Sequence, residues 1–259
     1  ADQQFTIGTV TGNLQPVVIS DKLRNVPAQG LYNWDPGAYF GIYRPDEIVK
    51  PKARFIPTGV DLVLAEIDKV VPEDNKVLLV DGTELSYDYL IIASGTTPRP
   101  EETPGMADDL GGSVHEFYTF KGATALAEKL RTWEGGRLVV HITEMPIKCP
   151  VAPLEFCFLA DWFFTQKGIR DKVQLTYVTP LDAAFTKPVA AATLKNLLTE
   201  KHIELITEFN TGEVDGEARK LIGFDGREID FDIAVVIPLH GGAAYVENSP
   251  GLGDELGFI

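Results

Sequence analysis

Cys149 is the side chain with the clearest chemical potential in this chain. It falls between an apolar stretch at 138–142, read as a buried strand, and a helix expected over 150–166 that opens on Pro150. Proline suits the first helical position, where a backbone N–H would have no partner in any case. A thiol just ahead of a helix meets unpaired backbone N–H groups and the positive end of the helix dipole. Both favour the thiolate, the nucleophilic form, and Lys148 beside it adds to that. The competing reading is an inert buried cysteine, the usual state of a free thiol.

Glu155 is the second candidate. It sits at the start of a stretch that is apolar on almost every side, with Leu154, Phe156, Phe158, Leu159, Trp162 and Phe163. A helix of that composition is buried, so its carboxylate is paired, turned towards a cleft, or protonated. Burial raises a carboxyl pKa and suits the group to proton transfer. The alternative is a helix-start glutamate that complements the dipole. Cys157, in the same stretch with no charged neighbour, reads as core. A Cys149–Cys157 disulfide would require Cα atoms within about 7 Å.

A third candidate is a loop. Residues 89–93 form a nearly continuous apolar run that ends in Ala93-Ser94-Gly95. Such a run fits a strand covered on both faces, as in parallel sheets. Open α/β sheets bind ligands beyond the carboxyl ends of their strands, and glycine there lets backbone approach a cofactor closely. No Gly-x-Gly-x-x-Gly follows a strand, and Gly251-Leu252-Gly253 does not supply one. After 138–142 the chain has Thr143-Glu144-Met145-Pro146-Ile147-Lys148. Glu144 would repel a pyrophosphate and Pro146 lacks a donor, so this domain is expected not to bind NAD(P). His115, His141, His202 and His240 show no metal-ligand spacing, and no metal site is expected. His202 reads as surface, while His141 and His240, at strand ends, could face a cleft. No nucleophilic-serine elbow or Gly-Lys-Ser/Thr phosphate loop is present.

The elements that must position these residues follow from periodicity. Strands are expected at 5–10, 60–67, 76–80, 84–86, 89–93, 138–142, 173–178 and 203–209, and helices at 122–133, 150–166 and 188–202. Residues 25–45 read as an irregular connection. From 104 onward strands alternate with helices, which indicates an α/β, Rossmann-like three-layer domain with a parallel sheet. The proline- and glycine-rich stretch 96–112 marks a boundary. The division drawn is 1–103, 104–223 carrying Cys149, and 224–259 returning to the first domain. An internal echo supports a return: Asp81-Gly82-Thr83-Glu84-Leu85-Ser86-Tyr87-Asp88 is matched by Asp225-Gly226-Arg227-Glu228-Ile229-Asp230-Phe231-Asp232. Each copy enters an apolar strand and leaves through a small-residue loop. Two unrelated hairpins sharing a turn would look similar. With 23 basic and 38 acidic residues the net charge is −15, which argues against nucleic acid and anionic lipid as partners. Two cysteines exclude a disulfide scaffold. No apolar run is long enough to cross a bilayer.

The segment Leu85-Ser86-Tyr87-Asp88-Tyr89-Leu90-Ile91-Ile92-Ala93-Ser94-Gly95-Thr96-Thr97-Pro98 resembles the second flavin-contacting motif of two-dinucleotide-domain flavoprotein reductases. The usual form ends Ala-Thr-Gly, so Ser94 departs slightly. Residues 137–155, with Met145-Pro146-Ile147-Lys148-Cys149-Pro150, narrow the resemblance to the sulfide:quinone oxidoreductase and flavocytochrome sulfide dehydrogenase branch. The resemblance runs from about Tyr43 onward. It implies that 1–103 and 224–259 are parts of an FAD-type dinucleotide-binding domain, with Ala93, Ser94 and Gly95 at the cofactor. It implies further that Cys149 is redox-active towards sulfide sulfur, that Glu155 handles protons, and that electrons pass through FAD to a quinone or a cytochrome. Relatives carry an N-terminal glycine-rich FAD loop, a later Gly-Asp flavin contact, a second active-site cysteine and membrane-meeting helices. None of these is matched here, so the resemblance implies an internal portion of a longer enzyme. That enzyme is expected to be cytoplasmic, peripheral to the membrane through those further elements, with an oligomer as one way to cover exposed strand edges. The alternatives are an NAD(P)H-dependent flavoprotein reductase and a cofactor-free, inactive core.

Overall fold

The computed structural model describes residues 6–9, 17–20, 24–25, 40–41 and 43–259; part of the connection expected at 25–45 lies outside them. The chain forms two compact units, one of residues 1–28, 45–97 and 241–259, the other of residues 29–44 and 98–240.

In the first unit, β1 (Thr6–Thr9), β2 (Val17–Ser20), β3 (Asp61–Leu64) and β7 (Tyr89–Ile92) form a sheet in the order β3-β2-β1-β7. Between β3 and β7 runs an antiparallel meander of β4 (Ile67–Val71), β5 (Lys76–Leu79) and β6 (Glu84–Ser86). The strand expected over 60–67 is therefore two strands, because the chain leaves one sheet after Leu64 and enters the other at Ile67. The expectation for 89–93 is corrected as well. β7 pairs antiparallel with β1, and Tyr89 and Ile91 are 75% and 58% exposed in this chain. Apolar composition alone did not distinguish a doubly covered strand from one with an open face. Ile19, Ile67, Val70, Val77, Leu79, Tyr245 and Val246 make the core. The Ser249 hydroxyl accepts from the Val70 N–H at 2.7 Å within it.

The second unit is a parallel sheet flanked by helices. β8 (Val114–His115), β9 (Gly136–Ile142), β10 (Val173–Val178), β11 (Ile203–Ile206) and β15 (Ile233–Ile237) lie in the order β8-β15-β9-β10-β11. Helices α1 (Phe120–Thr132), α2 (Ala152–Lys167) and α3 (Pro188–Glu200) are the connections between β8 and β9, β9 and β10, and β10 and β11. All five residues of β15 are buried, as a strand covered on both faces requires. Because β15 completes this sheet, the second break falls after His240 rather than at 223/224. The fold is α/β and Rossmann-like, with helices packed on a parallel sheet.

A second meander, β12 (Thr211–Asp215), β13 (Lys220–Gly223) and β14 (Glu228–Asp230), feeds β15 as the first feeds β7. The two agree in detail. Asp81 Oδ1 accepts from Thr83 N at 2.9 Å and Asp225 Oδ1 from Arg227 N at 3.0 Å. Gly82 and Gly226 take φ of 86° and 82°, and Asn75 and Arg219 take 52° and 56°. Tyr87 N donates to Asn75 O and Phe231 N to Arg219 O, each at 2.9 Å. Lys76–Glu84 and Lys220–Glu228 are matching ion pairs, and the pairing register shifts between Ile67 and Lys69 as it does between Thr211 and Glu213. The echo in the sequence is a structural repeat.

Candidate active site

The site is assembled where β9 gives way to α2. The helix begins at Ala152, two residues after Pro150, with Pro150 and Val151 in the turn that leads into it. Cys149 is half-buried and takes φ of 52°, a left-handed backbone that costs a non-glycine residue energy and turns the chain sharply into the helix. Its carbonyl accepts from Ala152 N at 3.0 Å and from the Tyr118 hydroxyl at 3.2 Å. The backbone N–H groups of Val151 and Ala152 lie on the side of the thiol where they favour its anion.

The thiolate expectation is corrected in its balance. Burial pushes the Cys149 thiol above its ordinary value, and the Glu155 carboxylate, close enough to interact, adds to that. The Ala152 and Val151 N–H groups and Lys148 pull the other way without prevailing. Position at a helix start was legible in the sequence; partial burial of the thiol was not.

Glu155 stands on the first turn of α2, half-buried, with its N–H bonded to Val151 O at 3.0 Å. Its Oε2 is buried with no hydrogen-bond partner among the described residues. Burial raises its carboxyl above the usual carboxylate range. Such burial favours the protonated form, which suits a carboxyl to proton transfer. Cys157 is fully buried and free, its thiol pushed up by burial, as a core cysteine should be.

Two further residues join the site: Tyr118, which had no sequence signal, and His240, which was read only as a strand-end histidine that could face a cleft. Tyr118, in the bend before α1, is fully buried, and the Lys148 ammonium lies 5.6 Å from its ring centroid. His240, just past β15, meets the Tyr118 ring edge-on at 5.1 Å between centroids. Its Nδ1–H donates to Pro238 O at 2.9 Å, while its Nε2 is buried without a partner among the described residues. Burial and the nearby Lys148 cation push this imidazole down to about 4, against the pull of the Pro238 carbonyl. Both are distant from Cys149 in sequence, and Tyr118 carries no local pattern that would mark it. His141, buried beside Thr211 with Nε2 2.7 Å from the Thr211 hydroxyl, does not face a cleft. His202 is exposed.

Ala93, Ser94 and Gly95 lie in the other unit, at the carboxyl end of β7. Ala93 and Gly95 are exposed and Gly95 has φ of 71°. Ser94 Oγ accepts from the Tyr245 hydroxyl at 3.1 Å, which fixes the loop to the helical turn Ala244–Glu247. Small exposed residues here leave the backbone open to close approach, so this loop fits the edge of a bound flavin.

The fold of this chain is shared with solved oxidoreductases and ferredoxin reductases. In sequence the chain is similar to sulfide:quinone oxidoreductases. It is 25% identical over 225 residues, 85% of this chain and 50% of the relative, to the mitochondrial sulfide:quinone oxidoreductase of Dictyostelium discoideum. Its structure matches that of the sulfide:quinone oxidoreductase from the bacterium Aquifex aeolicus with a TM-score of 0.74 at 20% identity, covering 92% of this chain and 55% of that one. A ferredoxin reductase from Rhodopseudomonas palustris matches with a TM-score of 0.59 at 17% identity, covering 85% of this chain and 51% of that one. No family model matches. The chain spans half or less of the length of the curated relatives it matches.

Proposed function

We propose that this chain carries the sulfide-handling part of a flavin-dependent sulfide:quinone oxidoreductase. The observation that bears the reading is a half-buried, left-handed Cys149 at the start of α2, with Glu155, whose buried Oε2 has no hydrogen-bond partner among the described residues, close by. Sulfide gives up two electrons and a quinone takes up two electrons and two protons. A flavin, when bound, supplies the two-electron relay between them. Ala93, Ser94 and Gly95 receive its edge. Cys149 holds the sulfur, and its place just ahead of α2 favours negative charge on it. Glu155 accepts the proton released as a thiol or hydrosulfide becomes an anion. Since a quinone is apolar, the full-length protein works peripheral to a membrane. Among the described residues no helix is long and apolar enough to cross one.

The test is a visible spectrum of the purified chain, repeated with excess FAD and then with sulfide. Flavin bands that bleach with sulfide, and that persist in Cys149→Ser, support the reading. A flat spectrum with FAD present places flavin binding outside this chain. Bleaching by NADH instead of sulfide would favour the nicotinamide-dependent alternative.

A further inference from the structure

Tyr118 makes two different connections to the thiol segment. Its hydroxyl donates to the Cys149 carbonyl at 3.2 Å, and its ring lies under the Lys148 ammonium at 5.6 Å, within cation–π range. It is fully buried, packed on Phe117 at 5.1 Å and on the edge of His240. Phe117 in turn stacks on Phe156 of α2 at 5.0 Å. The phenol is thus held from behind by an aromatic row that ends on the helix Cys149 precedes. Left-handed backbone at a residue other than glycine persists only where its surroundings hold it. At Cys149 the holding contacts on the peptide plane are the Ala152 N–H and the Tyr118 hydroxyl.

We propose that Tyr118 is a positioning residue for Cys149: its hydroxyl fixes the carbonyl of the left-handed cysteine, which holds the sulfur in its place ahead of α2, and its ring seats Lys148 on the same segment. The proposal rests on the reading of Cys149 as the working thiol, but not on flavin or sulfide chemistry. The titratable and charged groups around the thiol are Glu155 from α2 and Lys148 from the preceding loop, with Tyr118 and neutral His240 behind Lys148.

The experiment is the rate of iodoacetamide alkylation of Cys149 in the purified chain from pH 6 to 10, read by site-resolved mass spectrometry. Tyr118→Phe keeps the ring and removes only the hydroxyl. Its Cys149 should react about five-fold more slowly at neutral pH, as loss of one net hydrogen bond implies, with the same plateau at high pH and a higher apparent thiol pKa. Tyr118→Leu, which also removes the seat of Lys148, should shift the profile further. A Tyr118→Phe profile that superimposes on the parent's overturns the proposal. So does a uniform drop that includes the plateau, since that marks lost access instead of a displaced sulfur. Buried Cys157 reports folding in the same samples. If it becomes labelled in Tyr118→Phe, the comparison moves to urea midpoints in a Cys149→Gly background, where the left-handed residue needs no support. A smaller effect of Tyr118→Phe there sustains the proposal, and an equal one overturns it. No step uses flavin or sulfide, so failure here is distinguishable from failure of the sulfide:quinone reading.

Discussion

Arg170 donates from Nε to Asp161 Oδ1 at 2.7 Å, and the second carboxylate oxygen of Asp161 receives Lys201 Nζ at the same distance. Asp161 is on the buried stretch of α2, so one carboxylate ties that helix to the turn before β10 and to the end of α3. Burial pushes its carboxyl up, but the two cations outweigh that and hold it below the ordinary aspartate value. A depressed carboxylate stabilises the fold above its unfolded value of about 3.9 and loses that contribution as pH falls through the lower folded value. Asp161→Asn should cost about 2 kcal/mol at pH 7, because Arg170 keeps its partly buried position without its partner. Urea midpoints at pH 7 and pH 3 check both points: the difference between parent and variant should shrink at the lower pH.

Much of this framework was legible. The apolar run after Pro150 announced α2, and the Asp-Gly turns at 81–82 and 225–226 announced two meanders that agree down to their left-handed residues. Glu155 stood out because a carboxylate in such a helix needs an explanation. What stayed hidden depends on contacts between distant segments. Tyr118 reaches Cys149 through a carbonyl, which leaves no pattern in either segment. Apolar composition at 89–93 could not report that Tyr89 and Ile91 face outward. The thiol's surroundings reversed the expected balance because desolvation depends on packing, whereas the N–H groups that oppose it follow from local sequence.

Acid should unfold this protein before its carboxylates are exhausted. His141 and His240 are both pushed down to about 4 by burial. A histidine held below its unfolded value of about 6.5 stabilises the fold above that pH and loses the contribution as pH falls towards the folded value. Each histidine carries up to about 3 kcal/mol in this way. Urea midpoints should decline steadily from pH 6.5 to 4.5, and a His141→Gln variant should show a shallower decline over the same range.

Removing a negative charge should make Cys149 more reactive. The Glu155 carboxylate disfavours the thiolate, so Glu155→Gln lowers the apparent thiol pKa and speeds alkylation at neutral pH several-fold. Sulfide-dependent turnover, measured in a flavin-loaded full-length enzyme, should fall in the same variant if Glu155 carries the proton. Opposite signs in the two assays would separate thiol acidity from proton transfer; slower alkylation would show that Glu155 does not act on the thiol through its charge.

Arg219 occupies the left-handed position that Asn75 fills in the first meander. Asparagine and glycine tolerate that backbone better than a long side chain. Its ion pair with Asp232, at 3.9 Å and largely exposed, offers little in return. Arg219→Gly should therefore raise stability by about 0.5–1 kcal/mol, seen as a higher urea midpoint at an unchanged slope.

Val139 pairs with Ala234, and Val114 pairs with Ala234 from the other side, so the strand between β8 and β9 is made last. On the ribosome, the nascent second unit holds β8 apart from β9, β10 and β11 until residues 233–237 emerge. A premature stop between Ile206 and Ile233 removes the strand that joins them and leaves both edge strands in place. Such products would leave β8 with no neighbour and β9 with a raw edge, and they are natural substrates for chaperones and proteases.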